Sequence, residues 1–148
     1  MQTSWYKWTD RKKITLKNQP AVYFIAISDV DLSGQTFSLL PEIVYIGMTI
    51  SRSGLNGRLN QFEKAIKGSN NVHGGAERVR FKHKNADFLS KKTYVSAYLF
   101  PLSVKRDTAN DWRIKAACVA KEYSSFADYI DLFGVLPEFN DAKRSPKK

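Results

Sequence analysis

The sequence contains a single cysteine, Cys118, and only two histidines, His73 and His83. One cysteine excludes an intramolecular disulfide and favours a reducing, cytoplasmic compartment. Two histidines without a cysteine pair do not supply the four ligands of a usual tetrahedral zinc site. No apolar run approaches the roughly 20 residues that cross a bilayer, so no membrane span is predicted.

Acidic residues are also scarce. The 148 residues include 24 Lys and Arg against 14 Asp and Glu, which gives a formal charge of +10 and a pI near 9.7. Such a balance favours a polyanionic partner, and nucleic acid is the leading candidate. The alternative is a basic surface that only keeps the protein in solution.

The length suits one compact domain and is short for two. Hydrophobic residues make up 43% of the chain, enough to build a core. We predict a domain over residues 20–141, preceded by an N-terminal arm or edge element (1–19) and followed by a basic, disordered tail (142–148).

Apolar runs and their spacing predict the secondary structure. Three β-branched and aromatic runs indicate strands at residues 21–27, 43–47 and 94–100. Helical spacing indicates one helix over 55–67, a short basic one over 76–84, and a long one capped by Asp107 or Thr108 and ended by Gly134. This order predicts an α+β fold, with a small, three-stranded, mainly antiparallel sheet flanked by helices.

The long helix carries seven apolar residues on one stripe, which we expect to pack on the sheet. They are Trp112, Ala116, Val119, Tyr123, Phe126, Ile130 and Phe133. Relative to this stripe, Glu122 lies about 80° away and Asp128 about 160° away. Glu122 is therefore the better candidate for an inward-facing carboxylate.

Five short elements occur in a distinctive order. Two strand fragments, Ala21-Val22-Tyr23 and Val44-Tyr45-Ile46-Gly47, are followed by an arginine on the next helix, a glutamate on a later helix and an asparagine near the end. The later three are Arg58, Glu122 and Asn140. Together they resemble the signature of the GIY-YIG nuclease superfamily, over most of the chain from Ala21 to about Asn140.

The resemblance implies a metal-dependent endonuclease that hydrolyses DNA phosphodiester bonds. Tyr23 and Tyr45 would activate or position a water molecule, Arg58 would hold phosphate oxygens, and Glu122 would bind Mg²⁺, or Mn²⁺ in its place. Gly47 completes the second signature, and Asn140 would brace the site or simply form a turn. His73 would exchange a proton near neutral pH, or be an ordinary loop histidine.

The sequence departs from the family pattern at three positions. Ala21 replaces the opening glycine, Phe62 stands one helical turn after Arg58 where His or Tyr is frequent, and Met48 replaces a frequent lysine. We expect Phe62 to be a core residue. These departures leave open a catalytically inactive nucleic-acid-binding module on the same scaffold, and a structural protein whose basicity is incidental.

Four basic residues alternate with apolar ones in the predicted basic helix: Arg78, Arg80, Lys82 and Lys84. They would contact DNA phosphates and give affinity without sequence choice, or form a solvated charged face. A homodimer would be needed to cut both strands at a symmetric site, and the sequence leaves the oligomeric state open.

Overall fold

A computed structural model describes residues 1–147 of the chain. Its four strands are β1 (Tyr6–Lys7), β2 (Ala21–Ile27), β3 (Ile43–Thr49) and β4 (Thr93–Leu99). Its four α-helices are α1 (Gly54–Ile66), α2 (Gly74–His83), α3 (Ala86–Lys92) and α4 (Ala109–Phe133). Short 3₁₀ helices occupy Trp8–Lys13 and Glu138–Asn140.

The strands form one antiparallel sheet in the order β1-β4-β2-β3. The α+β class is as predicted, but the sheet has four strands rather than three. The additional strand is β1, where Tyr6 pairs with Val95 and Lys7 with Tyr94. Two residues are too few to show the period-two alternation that reveals a strand in sequence.

Strand β2 lies inside the sheet, and helices cover both of its faces. Its alternate residues therefore enter two separate cores. Tyr23 and Ile25 pack in one core with α1 and α2, whereas Val22 and Phe24 pack in the other with α4. Strand β3 is left at the edge of the sheet, within reach of helices from both layers.

Helix α4 buries only part of the stripe that the sequence predicts, since Phe126 and Phe133 pack half-buried against the core while other members face outward. Trp112 is 62% exposed and Tyr123 66% exposed, while Asp111, Cys118, Ser125 and Tyr129 are buried. The buried face is rotated by about 100°, or one residue, from the predicted one. The rotation brings Glu122 to roughly 35° from the centre of the face that meets the domain.

A capping box fixes the start of α4 in this rotated position. The Thr108 hydroxyl accepts a hydrogen bond from the Asp111 backbone N–H at 3.1 Å, and the Asp111 carboxylate accepts one from the Thr108 N–H at 3.0 Å. The same carboxylate also accepts from the Ser103 N–H and hydroxyl. Asp111 thus links the start of α4 to the preceding loop. Its hydrogen bonds offset the free-energy cost of burying a charged carboxylate.

Both ends of the chain lie against the domain. In residues 1–19, Trp5 and Trp8 are buried, one in each core. In the basic tail, Ser145 is buried and donates a hydrogen bond to the Asp141 carbonyl, and the Lys147 ammonium lies 4.0 Å from the Glu77 carboxylate. Among the helices of residues 1–147, none combines the length and apolarity that a membrane span requires.

We predict that Thr108→Ala lowers the free energy of unfolding by about 1 kcal/mol, because it removes the hydroxyl that caps α4. Urea denaturation followed by circular dichroism measures the change. Asp107→Ala, at an exposed neighbouring position, is the matched control and should stay within about 0.5 kcal/mol of the unchanged protein. Equal losses in the two variants would contradict the assignment of the cap.

Candidate active site

Five side chains that can bind phosphate, bind a metal or transfer a proton lie close together near the β3 edge of the sheet, and they come from five parts of the chain. They are Tyr23 on β2, Tyr45 on β3, Arg58 on α1, His73 immediately before α2, and Glu122 on α4. The four residues assigned catalytic roles by resemblance are all in this group. His73 lies with them, although the sequence of its loop does not predict that it is buried.

Tyr23 and His73 form a buried hydrogen-bonded pair. The Tyr23 hydroxyl lies 2.8 Å from His73 Nε2, and both side chains are almost entirely inaccessible to solvent. His73 is also the N-cap of α2, where its Nδ1 accepts a hydrogen bond from the Ala76 N–H at 3.1 Å. The one imidazole therefore links β2 to the start of α2.

The two contacts of His73 define its protonation. The Ala76 N–H is a fixed donor, so Nδ1 is an acceptor and the neutral ring carries its proton on Nε2. Burial, reinforced by the positive charge of Arg58, lowers the pKa of His73 to about 3. His73 is thus neutral at physiological pH and donates to the Tyr23 hydroxyl. A pKa this far below neutral does not suit the exchange of a proton near neutral pH.

Tyr45 packs in a slot made by two glycines. Its ring centroid lies 6.1 Å from that of Tyr23 and 5.3 Å from that of His73. A Cβ atom at Gly47 would lie 2.5 Å from the Tyr23 hydroxyl oxygen and 2.8 Å from Tyr45 Cε1. One at Gly75 would lie 2.4 Å from Tyr45 Cε2. Both glycines therefore leave space for the tyrosine rings.

The two hydroxyls differ in their electrostatic environment. Burial raises the pKa of Tyr23 well above its usual value, and the neighbouring Tyr45 raises it further. Burial also raises the pKa of Tyr45, but the positive charge of Arg58 and the nearby Tyr23 hydroxyl oppose that rise. Tyr23 thus keeps its proton, and Tyr45 is the tyrosine better able to ionise.

Arg58 is the cation that the group shares. Burial dominates the pKa shifts of Tyr23, Tyr45, His73 and Glu122, and in each case the positive charge of Arg58 lowers the pKa. The Arg58 guanidinium donates a hydrogen bond to Gln61 Oε1 at 2.6 Å, one helical turn further along α1. Arg58 and Gln61 both line an open cleft of about 390 Å³, which continues past Met48 to Ser51.

Glu122 faces the site from α4. Burial raises the pKa of its carboxyl group, and Arg58 opposes the rise. Its negative charge in turn raises the pKa of Tyr45 and of the buried Cys118 thiol. Glu122 is half-buried, so its carboxylate is near the tyrosine while retaining access to solvent.

Phe62 is a core residue, as predicted. It is 1% exposed, and its ring centroid lies 5.0 Å from that of His73 and 5.1 Å from that of Trp8. Phe62, one turn after Arg58, has no ionisable group. Its ring forms part of the apolar surroundings that keep water away from His73.

Asn140 braces the edge of the sheet. Its Oδ1 accepts from the Ile46 N–H and its Nδ2 donates to the Ile46 carbonyl, both at 2.8 Å. The amide thereby occupies the backbone groups that edge strand β3 would otherwise present to solvent or to another strand. The two bonds fix the strand that carries Tyr45, one residue away.

The four basic residues of the predicted DNA-contacting set fall on different faces of α2. Arg80 donates to the Ala65 and Ser69 carbonyls and to Asn70, and Lys82 pairs with Glu138 at 2.7 Å. Lys84 terminates the helix with a left-handed backbone, φ 54°. Arg78 alone approaches the site, where its charge lowers the pKa of Tyr45.

The site contains one carboxylate that can bind a metal ion, that of Glu122. Among residues 1–147, no three His, Cys, Asp or Glu side chains are grouped closely enough to hold a metal by themselves. One carboxylate beside open solvent suits a hard cation that keeps most of its water ligands, as Mg²⁺ does. It does not suit Zn²⁺, which prefers three or four protein ligands.

One contributor to the site, Gln61, is absent from the residues predicted from sequence, and a second, Arg78, was predicted with a different role. Gln61 holds the Arg58 guanidinium, and its position three residues later on the same helix is the signal that identifies it. Arg78 is in the set only as a general phosphate contact. Its particular nearness to Tyr45 depends on how α2 packs, which has no local sequence signal.

No model of a known protein family matches the chain, and neither a curated protein nor a solved structure does.

We predict that Gly75→Ala displaces the Tyr45 ring, because the added methyl group would overlap it at 2.4 Å. The expected loss of stability is about 1–3 kcal/mol. Gly74→Ala is the matched control, since its methyl group would meet only the flexible ends of Lys147, at 3.3 Å, and Arg78, at 3.7 Å. Thermal unfolding compares the two, and similar melting temperatures would contradict the packing of Tyr45 against Gly75.

Proposed function

We propose that this protein is a metal-dependent endonuclease of the GIY-YIG type, which hydrolyses phosphodiester bonds in DNA. The observation that carries the proposal is the position of Arg58, whose charge acts on Tyr23, Tyr45, His73 and Glu122 together. Arg58 lines an open cleft, and arginine, tyrosine and glutamate grouped around it are the residue types that hydrolysis needs for phosphate binding, water positioning and metal binding.

Arg58 binds the scissile phosphate. Its planar guanidinium matches the oxygens of a phosphate group, and Gln61 holds it in orientation from the same helix. Arg78 provides a second positive charge on the Tyr45 side of the site. Two cations around one phosphate offset the negative charge that develops during attack by water.

Tyr45 accepts the proton of the attacking water. Its side chain is the less buried of the two, and both the positive charge of Arg58 and the nearby Tyr23 hydroxyl favour its ionised form. His73 donates a hydrogen bond to Tyr23 and so fixes the hydroxyl that lies beside Tyr45. His73 is a positioning residue, because its pKa near 3 keeps it neutral throughout.

Glu122 is the residue that would hold the divalent cation. A single half-buried carboxylate suits Mg²⁺ or Mn²⁺, which would keep water and phosphate oxygens as further ligands. When bound, the metal supplies charge neutralisation at the phosphate and at the leaving oxygen. The net charge of +10 supports DNA as the partner, because a basic protein gains affinity for a polyanion through counterion release.

We predict that Glu122→Gln lowers the rate of Mg²⁺-dependent plasmid nicking about 100-fold or more, because it removes the carboxylate that holds the cation. Gel electrophoresis of supercoiled plasmid measures the rate. Asp128→Asn, on the exposed face of the same helix, is the matched control and should nick at the unchanged rate. Equal nicking by Glu122→Gln and the unchanged protein would remove Glu122 from the mechanism. Salt-dependent DNA binding without nicking under any divalent metal would show an inactive binding module instead.

We predict that the cleavage rate rises about tenfold per pH unit between pH 7 and pH 9. The pKa of Tyr45 is raised, so its ionised fraction is small at neutral pH and increases with pH throughout this range. Toward acid, the raised pKa of Glu122 means that its carboxylate is lost earlier than usual as pH falls. Rates measured in buffers of constant ionic strength test the slope, and Tyr45→Phe should abolish it. A slope that persists in Tyr45→Phe would transfer the base role to another group.

A further inference from the structure

The outward face of α4 carries large exposed apolar side chains, with the Lys115 ammonium 4.4 Å from the centre of the Trp112 ring. Trp112, Tyr123 and Ile130 are 62%, 66% and 41% exposed, and they follow one line along a helix of 25 residues. Large exposed aromatic side chains on one helix face are typical of protein interfaces, where Trp and Tyr contribute most to affinity. This face points away from the sheet and is separate from the site at Glu122.

A second line of exposed residues runs beside the first, and small side chains fill its centre. It consists of Arg113, Ala117, Ala120, Ser124, Ala127 and Asp131, spaced alternately by four and three residues. Such spacing keeps these six residues in a line on one side of the helix, which we call the seam. Alanine and serine in the seam allow another helix backbone to approach closely.

The charges at the two ends of this seam have opposite sign. Arg113 lies at the beginning and Asp131 at the end, and within residues 1–147 neither forms an ion pair. When a second α4 is placed antiparallel, with its Asp131 opposite Arg113, the seam matches itself throughout. Ala117 then faces Ala127 of the other copy, and Ala120 faces Ser124. A surface complementary to itself is the requirement for a two-fold interface.

The charge distribution favours a second copy over DNA as the occupant. Helix α4 contains three basic and four acidic residues, in a chain whose net charge is +10. Two copies meeting at α4 therefore keep the strongly basic remainder of each molecule away from the contact. A DNA backbone would find less positive charge on this helix than on the rest of the chain.

We propose that the chain forms a two-fold symmetric homodimer through antiparallel packing of α4 against α4, with Arg113 paired to Asp131 of the other copy at each end. The inference does not rest on the proposed nuclease activity. Trp112 packs near Ile130 of the other copy, along one flank of the seam. The two-fold axis passes level with residue 122, midway between the paired charges.

A charge-swap series tests the proposal by sedimentation equilibrium on the full chain. Arg113→Asp and Asp131→Arg each place like charges opposite one another, and each should raise the dimer dissociation constant about tenfold. The double variant Arg113→Asp/Asp131→Arg should restore the dissociation constant of the unchanged protein. Because both positions are exposed, circular dichroism should show the same fold in all three variants.

Other outcomes overturn the proposal. A chain that remains monomeric at about 100 µM, or a dimer that neither single variant weakens, would exclude this interface. Failure of the double variant to restore association would exclude the antiparallel arrangement. Cross-linking gives an independent test with a short bismaleimide: Ser124→Cys, beside the two-fold axis, should yield covalent dimers. Val104→Cys, in the exposed loop before α4, should not, and equal yields would reject the interface.

Discussion

The hydrogen bond between His73 and Tyr23 is the interaction on which the rest of the site depends. Burying an imidazole and a phenol would cost several kcal/mol if either lost its partner. His73 therefore satisfies both nitrogens, one with Tyr23 and the other with the backbone at the start of α2. The bond fixes α2 against β2, and this position brings Gly75 against the Tyr45 ring and Arg78 toward its hydroxyl.

Arg58 then sets the electrostatic state of the group. The group contains two phenols, a neutral imidazole and the Glu122 carboxylate, with Arg58 and Arg78 as two cations, so positive charges outnumber negative ones and favour a further anion. Its bond to Gln61 orients the guanidinium before any ligand arrives, which reduces the reorganisation that binding requires. The arrangement suits a phosphate group better than a neutral ligand.

Sequence reasoning predicted the elements around the site better than their packing. The three longer strands and the two amphipathic helices have clear periodicity, and Phe62 is buried as its place on the α1 stripe predicts. The face of α4 was predicted wrongly, because periodicity shows which face is apolar and not which neighbour covers it. Here Asp111 and Ser125 are buried through hydrogen bonds, while Trp112 and Tyr123 face outward. The burial of His73 was also beyond prediction, since it depends on contacts between residues 50 apart in the chain.

Two opposite faces of α4 have different roles in the two proposals: one carries Glu122, and the other carries the Arg113–Asp131 seam. Glu122 lies on the side of the helix opposite the Arg113–Asp131 seam, level with the proposed two-fold axis. Antiparallel helices pack with their axes about 8–10 Å apart, so the two Glu122 carboxylates would be separated by roughly 20 Å and face away from each other. Because the two carboxylates would face away from each other, the proposed dimer would present its two proposed sites on opposite sides rather than side by side to one segment of duplex DNA. The line of Trp112, Tyr123 and Ile130, which sequence reasoning assigned to the core, lies about 100° around the helix from the seam and flanks the proposed contact.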